Sequence, residues 1–276
     1  MKREISTIVV DGKLVAPGAA ALPGDGLGVL RGEGVFESFL VVDGKLDENI
    51  GAHAERLKRS AALLALPGGQ RDLVSDFAEL APHLPKQVQR VRYSLLRGSG
   101  KQAVHRLWTA GEPDPVPSEV KVAVSTVRRD PFDPLVGAKT ISRAGEQYAR
   151  RQAEALGAWE ALLPTVDGDF AEFTSANLFV YVDGVLLTPP LDRGLLAGTT
   201  RARVLAACLA EGLPAAEERI ESECIQRADE IYLGNAVVGL VPVSAVIGLV
   251  DKLPGASGTF LETVRCAYLG RKKPTV

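Results

Sequence analysis

Short apolar runs interrupted by Asp-Gly pairs open the chain. "ISTIVVDGKLV" (5–15) and "VFESFLVVDGKLD" (35–47) each read as strand, tight turn, strand, with the turns at Asp11-Gly12 and Asp43-Gly44. From Asn49 the period changes: Leu57, Ala61 and Leu64 recur at helical spacing until "LPGG" (66–69) stops the run. "DLVSDFAELAPHL" (72–84) predicts a second short helix, and "QRVRYSLLRGSG" (89–100) a strand ending in a glycine turn. Three prolines and several acids in "GEPDPVPSE" (111–119) have the composition of a linker between domains.

Past the linker, "VKVAVSTV" (120–127) predicts a strand and "QYARRQAEALG" (147–157) a helix ended by Gly157. The stretch 159–190 carries Asp-Gly pairs at 167–168 and 183–184 and reads as a three-stranded meander. "TTRARVLAACLAEGL" (199–213) predicts a helix with a threonine-rich start, followed by strand-like runs around "RADEIYLGN" and "VVGLVPVSAVIG". Strands and helices alternate without a regular parallel repeat. The expected class is mixed α+β in two domains, a small N-terminal one over 1–115 and a larger one over 116–276 that carries Lys139.

One strand poses a chemical question. In "FAEFTSANLF" (170–179), alternation puts Phe170, Glu172 and Thr174 on one face and Ala171, Phe173 and Ser175 on the other. A buried carboxylate is costly unless a cation meets it, so Glu172 requires a partner.

Composition narrows the answer. The 276 residues are 46% hydrophobic and 24% charged with a net charge of −2, enough chain for one large or two moderate cores. Near-neutrality argues against a nucleic-acid or anionic-membrane partner, each of which needs a basic surface. Cys208, Cys224 and Cys266 are odd in number and widely spaced, which suits thiols in a reducing cytoplasm rather than a disulfide framework. "MKREISTIVVDGK" has too short an apolar run for a signal peptide or membrane span. "RKKPTV" (271–276) reads as a frayed basic tail.

Several familiar motifs are missing. "GDGLGVLRGEG" does not space its glycines as a dinucleotide loop and leads into a hairpin. His53, His83 and His105 are scattered, so no metal is expected. There is no Gly-x-Ser-x-Gly elbow. Three weaker signals remain. Gly198-Thr199-Thr200 stands at a helix start, where unpaired N–H groups and the threonine hydroxyls suit a phosphate. Arg56 could hold a phosphate bidentately. Lys139 follows small and apolar residues, a setting that lowers a lysine pKa toward Schiff-base chemistry. Taken singly, each has a commoner explanation: a threonine-capped helix, a solvated arginine, a solvated lysine. Taken together with the carboxylate of Glu172, they are what pyridoxal 5′-phosphate requires: an anion site, an amine for its aldehyde and an acid for its ring nitrogen. On that reading the cation of Glu172 is the protonated ring.

The segments "GEGVFES", "HAERLKRSA", "GAKTISR", "AEFTSANLF", "LLAGTTR" and "ADEIYLGNAVVGLVPV" follow one another in an order that resembles the class IV pyridoxal-phosphate enzymes. These are the branched-chain aminotransferases, D-amino-acid aminotransferases and 4-amino-4-deoxychorismate lyases, and the likeness runs from residue 11 to residue 248. It implies a two-domain homodimer acting on a small-molecule substrate. Lys139 would be the Schiff-base lysine and proton shuttle, and Glu172 the ring-nitrogen partner. Arg56, Thr199, Thr200 and Asn235 would be phosphate or cofactor contacts, and Asn177 would brace the strand beside the ring. Asn235, Ser38 after Phe36-Glu37, and "LLRGSG" with Arg143 are similar to the lyase branch. That branch would give 4-aminobenzoate, a folate precursor, and pyruvate, with Ser38 assisting protonation of the departing group and Arg143, Arg92 and Arg97 as candidates for the substrate carboxylates. The alternatives are an aminotransferase for branched-chain or other hydrophobic amino acids, or a non-catalytic cofactor-binding protein; retention of Lys139 with Glu172 argues against the last. Gly32-Glu33 and Ser142 depart from the family pattern, as does Phe36 from the tyrosine of the D-amino-acid enzymes. "AVHRLW" contains His105-Arg106, but not in the setting or order of the arginine-histidine pair those enzymes carry.

Overall fold

A computed structural model describes residues 5–19, 22–68 and 70–270; the basic end at 271–276 lies outside the described residues. The chain forms two compact units, Met1–Pro115 with Gly137–Arg143, and Val116–Val136 with Ala144–Val276.

The first unit is built on a six-stranded antiparallel sheet. Its strands are β1 (Thr7–Val10), β2 (Lys13–Val15), β3 (Gly34–Val42), β4 (Lys45–Leu46), β5 (Gln89–Arg97) and β6 (Val104–Gly111), ordered β2-β1-β6-β5-β3-β4. Both Asp-Gly pairs turn with positive φ at both positions, 48° and 80° at Asp11-Gly12 and 51° and 70° at Asp43-Gly44. That is the hairpin geometry that matches strand twist. Alternation along β3 and β5 sends Val35, Phe39, Val41, Val91, Tyr93 and Leu95 to one face. There they pack with Trp108 and with Ala54, Leu57 and Ala61 of α2 (Ile50–Leu63), the helix that the 57/61/64 spacing predicts. A fully buried side chain such as Leu57 contributes roughly 1.5–3 kcal/mol to that packing. Phe36 and Ser38 emerge on the other face, opposite Ser94 and Arg92 of β5. Two short helices complete this part of the chain, α1 (Leu27–Leu30) and α3 (Leu73–Asp76). The expected helix over 72–84 is only the single α-turn of α3 followed by two 3-10 turns, with Pro82 in the second.

The structure corrects the expected placement of Lys139. Its segment, 137–143, belongs to the first unit. Strand β4 pairs with only the far end of β3, at Val41 and Val42, and leaves backbone groups near Gly34 and Phe36 without a strand partner on that edge. Bare edge groups need partners, and the 137–143 segment supplies them. Ile141 N donates to Gly34 O and Phe36 N donates to Lys139 O, both at 2.9 Å, around a Val35–Thr140 bridge.

The second unit holds an eight-stranded sheet. Its strands are β7 (Val120–Val124), β8 (Glu160–Pro164), β9 (Phe170–Phe173), β10 (Asn177–Val182), β11 (Val185–Thr188), β12 (Ala215–Glu217), β13 (Glu230–Asn235) and β14 (Gly239–Ile247). They are ordered β12-β11-β10-β13-β14-β7-β8-β9, and β9 also pairs with β10 at Glu172–Asn177, which closes a ring of six strands. Val122, Leu162, Leu178, Val180, Leu233 and Val241 fill one core. Phe179, Tyr232, Val204 and Val264 form another with α5 (Thr199–Ala210) and α7 (Phe260–Leu269). Two further helices are α4 (Ala144–Ala155) and α6 (Ser222–Gln226). The stretch 159–190 contains four strands, β8 to β11, rather than three. Strict alternation also fails along β9: Phe170 and Phe173 join the same core, and the pairing with β8 slips between Leu163 and Pro164. Among the described residues, no helix is long and apolar enough to cross a membrane.

Candidate active site

In the first unit the candidates gather on β3, α2 and the 137–143 segment. Lys139 is anchored through its backbone, its carbonyl accepting from Phe36 N and its amide donating to Ser60 Oγ at 3.0 Å. Ser60 lies one helical turn after Arg56 on α2, so the helix that carries Arg56 also fixes the lysine backbone. The half-buried Lys139 side chain reaches over Phe36, with Nζ 4.7 Å from the ring centroid. The Arg92 guanidinium lies 3.6 Å from the centroid of the same ring, and its Nε donates to Ser94 Oγ at 3.2 Å.

Ser38 faces Arg92 directly across the strand pair. Its Oγ is buried and has no hydrogen-bond partner. Arg97, in contrast, donates from Nε to Glu33 Oε2 at 2.7 Å and from Nη2 to the carbonyls of Leu64 and Ala65. Its guanidinium is used in tying down the end of α2. Arg143 ends the 137–143 segment, half-buried. The departures from the family pattern have structural partners as well, since Glu33 meets Arg97 and Ser142 Oγ donates to Gly32 O at 2.8 Å.

The centre of this unit is a residue that was not among the candidates. Glu37 is fully buried, and Arg56 donates to both of its oxygens, Nε to Oε1 and Nη2 to Oε2, each at 2.7 Å. His53 Nδ1 donates to Oε2 at 2.7 Å. Burial alone would raise the carboxyl pKa; the charge and hydrogen bonds of Arg56, with the His53 hydrogen bond, outweigh it and hold Glu37 at about 2. Alternation contained the signal. Glu37 stands among Val35, Phe39 and Val41 on the core face, a carboxylate where the pattern calls for an apolar residue.

In the second unit Glu172, 4% exposed, has found a protein cation. Arg129 Nη2 donates to Glu172 Oε1 at 2.6 Å, and Leu196 N donates to Oε2 at 3.2 Å. The carbonyl of the same Leu196 accepts from Asn177 Nδ2 at 3.0 Å, and Asn177 pairs with Glu172 across the strands. One peptide is thus clamped between the carboxylate and the carboxamide. Gly198 follows at the N-cap of α5, and a β-carbon there would fall inside the Asn177 carboxamide. No side chain caps α5, whose first residues Thr199 and Thr200 are both buried. Helix-start N–H groups of this kind suit an anion.

Asn235 uses its carboxamide on the backbone. Oδ1 accepts from Val237 N and Val238 N, both at 2.9 Å, and Nδ2 donates to Ser175 O at 3.1 Å. It shapes the turn between β13 and β14. Each unit holds groups of a kind that pyridoxal phosphate requires: an amine at Lys139 and a cation at Arg56 in the first, and in the second the N–H groups of the α5 start and a carboxylate at Glu172 with acceptor capacity beyond its two present bonds.

The family model for class IV amino-transferases matches residues 34–246. The chain is 29% identical to the bifunctional aminodeoxychorismate lyase / D-amino acid transaminase of Mycobacterium tuberculosis, over 74% of this chain and 78% of that one. It is 27% identical to the aminodeoxychorismate lyase of Bacillus subtilis, over 87% and 86%. A crystal structure of a branched-chain aminotransferase from Thermoproteus uzoniensis with norvaline superposes with a TM-score of 0.82 at 25% identity, covering 98% of this chain and 97% of that one.

Proposed function

This chain belongs to the class IV amino-transferases and is a pyridoxal-phosphate-dependent enzyme, and within that family we propose that it is a lyase converting 4-amino-4-deoxychorismate to 4-aminobenzoate and pyruvate. The observation behind this choice is the Ser38 hydroxyl. A buried oxygen without a partner costs about 1–3 kcal/mol, and this one stands beside Phe36 in the strand, opposite Arg92. A polar substrate that brings its own hydrogen-bonding groups satisfies such an oxygen; an aliphatic side chain does not.

The bound cofactor supplies an aldehyde for an amine and a ring that accepts electrons. Lys139 would be the amine, and its Nζ would take the proton from the amine-bearing carbon of the substrate. Glu172 would hold the ring nitrogen in its protonated form. Arg56, kept in one orientation by Glu37, and the N–H groups and hydroxyls of Thr199 and Thr200 would be the groups for the phosphate, and Asn235 would contribute by shaping its turn. Ser38 delivers a proton to the departing enolpyruvyl group as the substrate ring becomes aromatic. Arg92, Arg143 and Arg97 are the candidate groups for the substrate carboxylates, Arg97 already bonded to Glu33 and to two carbonyls. The working form is a cytoplasmic homodimer making a folate precursor.

The second reading is an aminotransferase for branched-chain or other hydrophobic amino acids. The apolar ring of Phe36 under the Lys139 amine favours it, and the Mycobacterium tuberculosis relative is named for both kinds of reaction. A paired assay decides. Purified enzyme given 4-amino-4-deoxychorismate should release 4-aminobenzoate and pyruvate in equal amounts. No 4-aminobenzoate, alongside turnover of an amino acid with a 2-oxo acid, would replace the lyase with the transaminase.

A further inference from the structure

The turn between β8 and β9 presents two carboxylates to one arginine. Arg193 Nε donates to Asp169 Oδ2 at 2.8 Å and its Nη2 to Asp169 Oδ1 at 2.6 Å, while Nη2 also donates to Asp167 Oδ2 at 2.5 Å. Arg193 and Asp169 are buried, and Asp167 is exposed. Thr165 builds the turn. Its amide donates to Asp169 O, its hydroxyl donates to Asp169 Oδ1 at 2.6 Å, and the same hydroxyl accepts from Asp167 N at 3.1 Å. Burial works to raise the Asp169 pKa, but the hydrogen bonds of Arg193 and Thr165 and the arginine charge outweigh it and hold the carboxyl below its ordinary value.

Arg193 opens the approach to α5. Gly194 turns the chain at φ 75°, so near Pro131 that a β-carbon would lie 3.2 Å from that residue's backbone. Residues 195–198 then run outside any helix or strand up to Thr199, the first residue of α5. A stretch without a hydrogen-bond ladder takes its position from individual anchors. Two of them are Leu196, between Glu172 and Asn177, and Arg193, in the fork of Asp169. Both lead back to β9, since Asp169 immediately precedes that strand and Glu172 lies within it. A buried ion pair often stabilises a fold no better than apolar residues of the same volume. What the fork adds here is direction.

We propose that Asp169 and Arg193 are positioning residues for the phosphate site at the start of α5, which they hold in place by fixing the 193–198 approach to it. The inference rests on the reading of that helix start as the phosphate site. Donors that are already ordered bind an anion without the cost of ordering them, so loosening the approach weakens phosphate binding although no group that touches the phosphate has changed. The ring end of the cofactor is spared, because Glu172 keeps Arg129 and its strand partners on β8 and β10. The expected loss is therefore confined to the phosphate, a selectivity that a merely structural ion pair does not have.

The test titrates the full-chain apoprotein with pyridoxal phosphate and, separately, with pyridoxal, which lacks the phosphate, each followed by its absorption band. In Asp169→Asn and Arg193→Lys the Kd for pyridoxal phosphate should rise about ten- to a hundredfold, the range for residues that orient metal ligands from behind. Asp167→Asn removes only the outer bond and should raise it about two- to fivefold, the effect of an exposed ion pair. The Kd for pyridoxal should be unchanged in all three. If Asp169→Asn does not fold, Arg193→Lys and Asp167→Asn carry the same comparison. A pyridoxal phosphate Kd unmoved in the variants, whatever their Tm, overturns the proposal, and so does an equal loss for the two compounds. In parallel, nitrogen-15-labelled wild-type apoprotein is titrated with inorganic phosphate, and the amide signals of Thr199 and Thr200 should move. Signals there that do not respond overturn the reading of the helix start, and the proposal with it. Signals that respond, with no selective loss in the variants, overturn the proposal alone.

Discussion

Arg56 grips Glu37 with two parallel donors, both at 2.7 Å, inside the first unit. The arginine expected to face a phosphate is thereby held in one orientation by a carboxylate on the neighbouring strand. A planar guanidinium in such a fork loses little further freedom when it binds an anion.

Glu37→Gln should therefore cost both stability and cofactor affinity. Removing one partner of a buried pair leaves the other charge uncompensated, a loss of about 3–5 kcal/mol. Urea unfolding at pH 7 would read it. A loss under 1 kcal/mol would mean that Arg56 repacks against something else.

The same pair predicts a pH dependence. The Glu37 pKa is depressed from 4.5 to about 2 in the folded state, so its contribution is complete above pH 4.5 and lost as pH falls toward 2. The stability gap between wild type and Glu37→Gln should be constant from neutral pH down to about 4.5 and should close below it. A gap that widened on acidification would contradict the assignment.

The loaded wild-type enzyme should show a visible absorption band that borohydride removes, and Lys139→Ala should lack that band. It should leave the fold intact, because the bonds to Phe36 N and Ser60 Oγ are made by the backbone of residue 139. A variant that kept the band would move the reactive amine elsewhere.

Gly198→Ala should push the Asn177 carboxamide off the Leu196 carbonyl. Overpacking of this kind costs about 1–3 kcal/mol, and moving the start of α5 should weaken cofactor binding about tenfold for each 1.4 kcal/mol lost. Calorimetric titration of the apoprotein measures it. Adding Asn177→Ala should recover part of the stability, and no recovery would place the clash elsewhere.

Ser38→Ala should lower lyase turnover by about 10²–10⁴, the range for losing a general acid, with Tm unchanged or raised, because the variant removes a buried oxygen that lacks a partner. Equal losses of stability and rate would make Ser38 structural.

The candidate residues that the sequence singles out are those that sit in short contiguous motifs. Hairpin turns at Asp11-Gly12 and Asp43-Gly44 follow from two residues each. The lysine, the helix start and the strand carboxylate each announce a residue type in a local setting. Partnerships across the sequence were not legible. Arg129 reaches Glu172 over 43 positions, and nothing in "STVRRDP" favours one arginine over the next as the partner. The placement of Lys139 was missed for a similar reason: its segment follows the linker in sequence, yet its hydrogen bonds answer an open edge of β3 laid down a hundred residues earlier. Glu37 was within reach, because strand alternation flags a carboxylate on the core face as plainly as it flagged Glu172.

That borrowed edge has a practical corollary for anyone dissecting the protein. A cut at residue 115, natural as it looks in the proline-rich stretch, would separate Lys139 from the strand its backbone rests on and leave Gly34 and Phe36 without those hydrogen-bond partners. A self-sufficient amino-terminal piece has to carry 137–143 with it, spliced on by a short artificial tether.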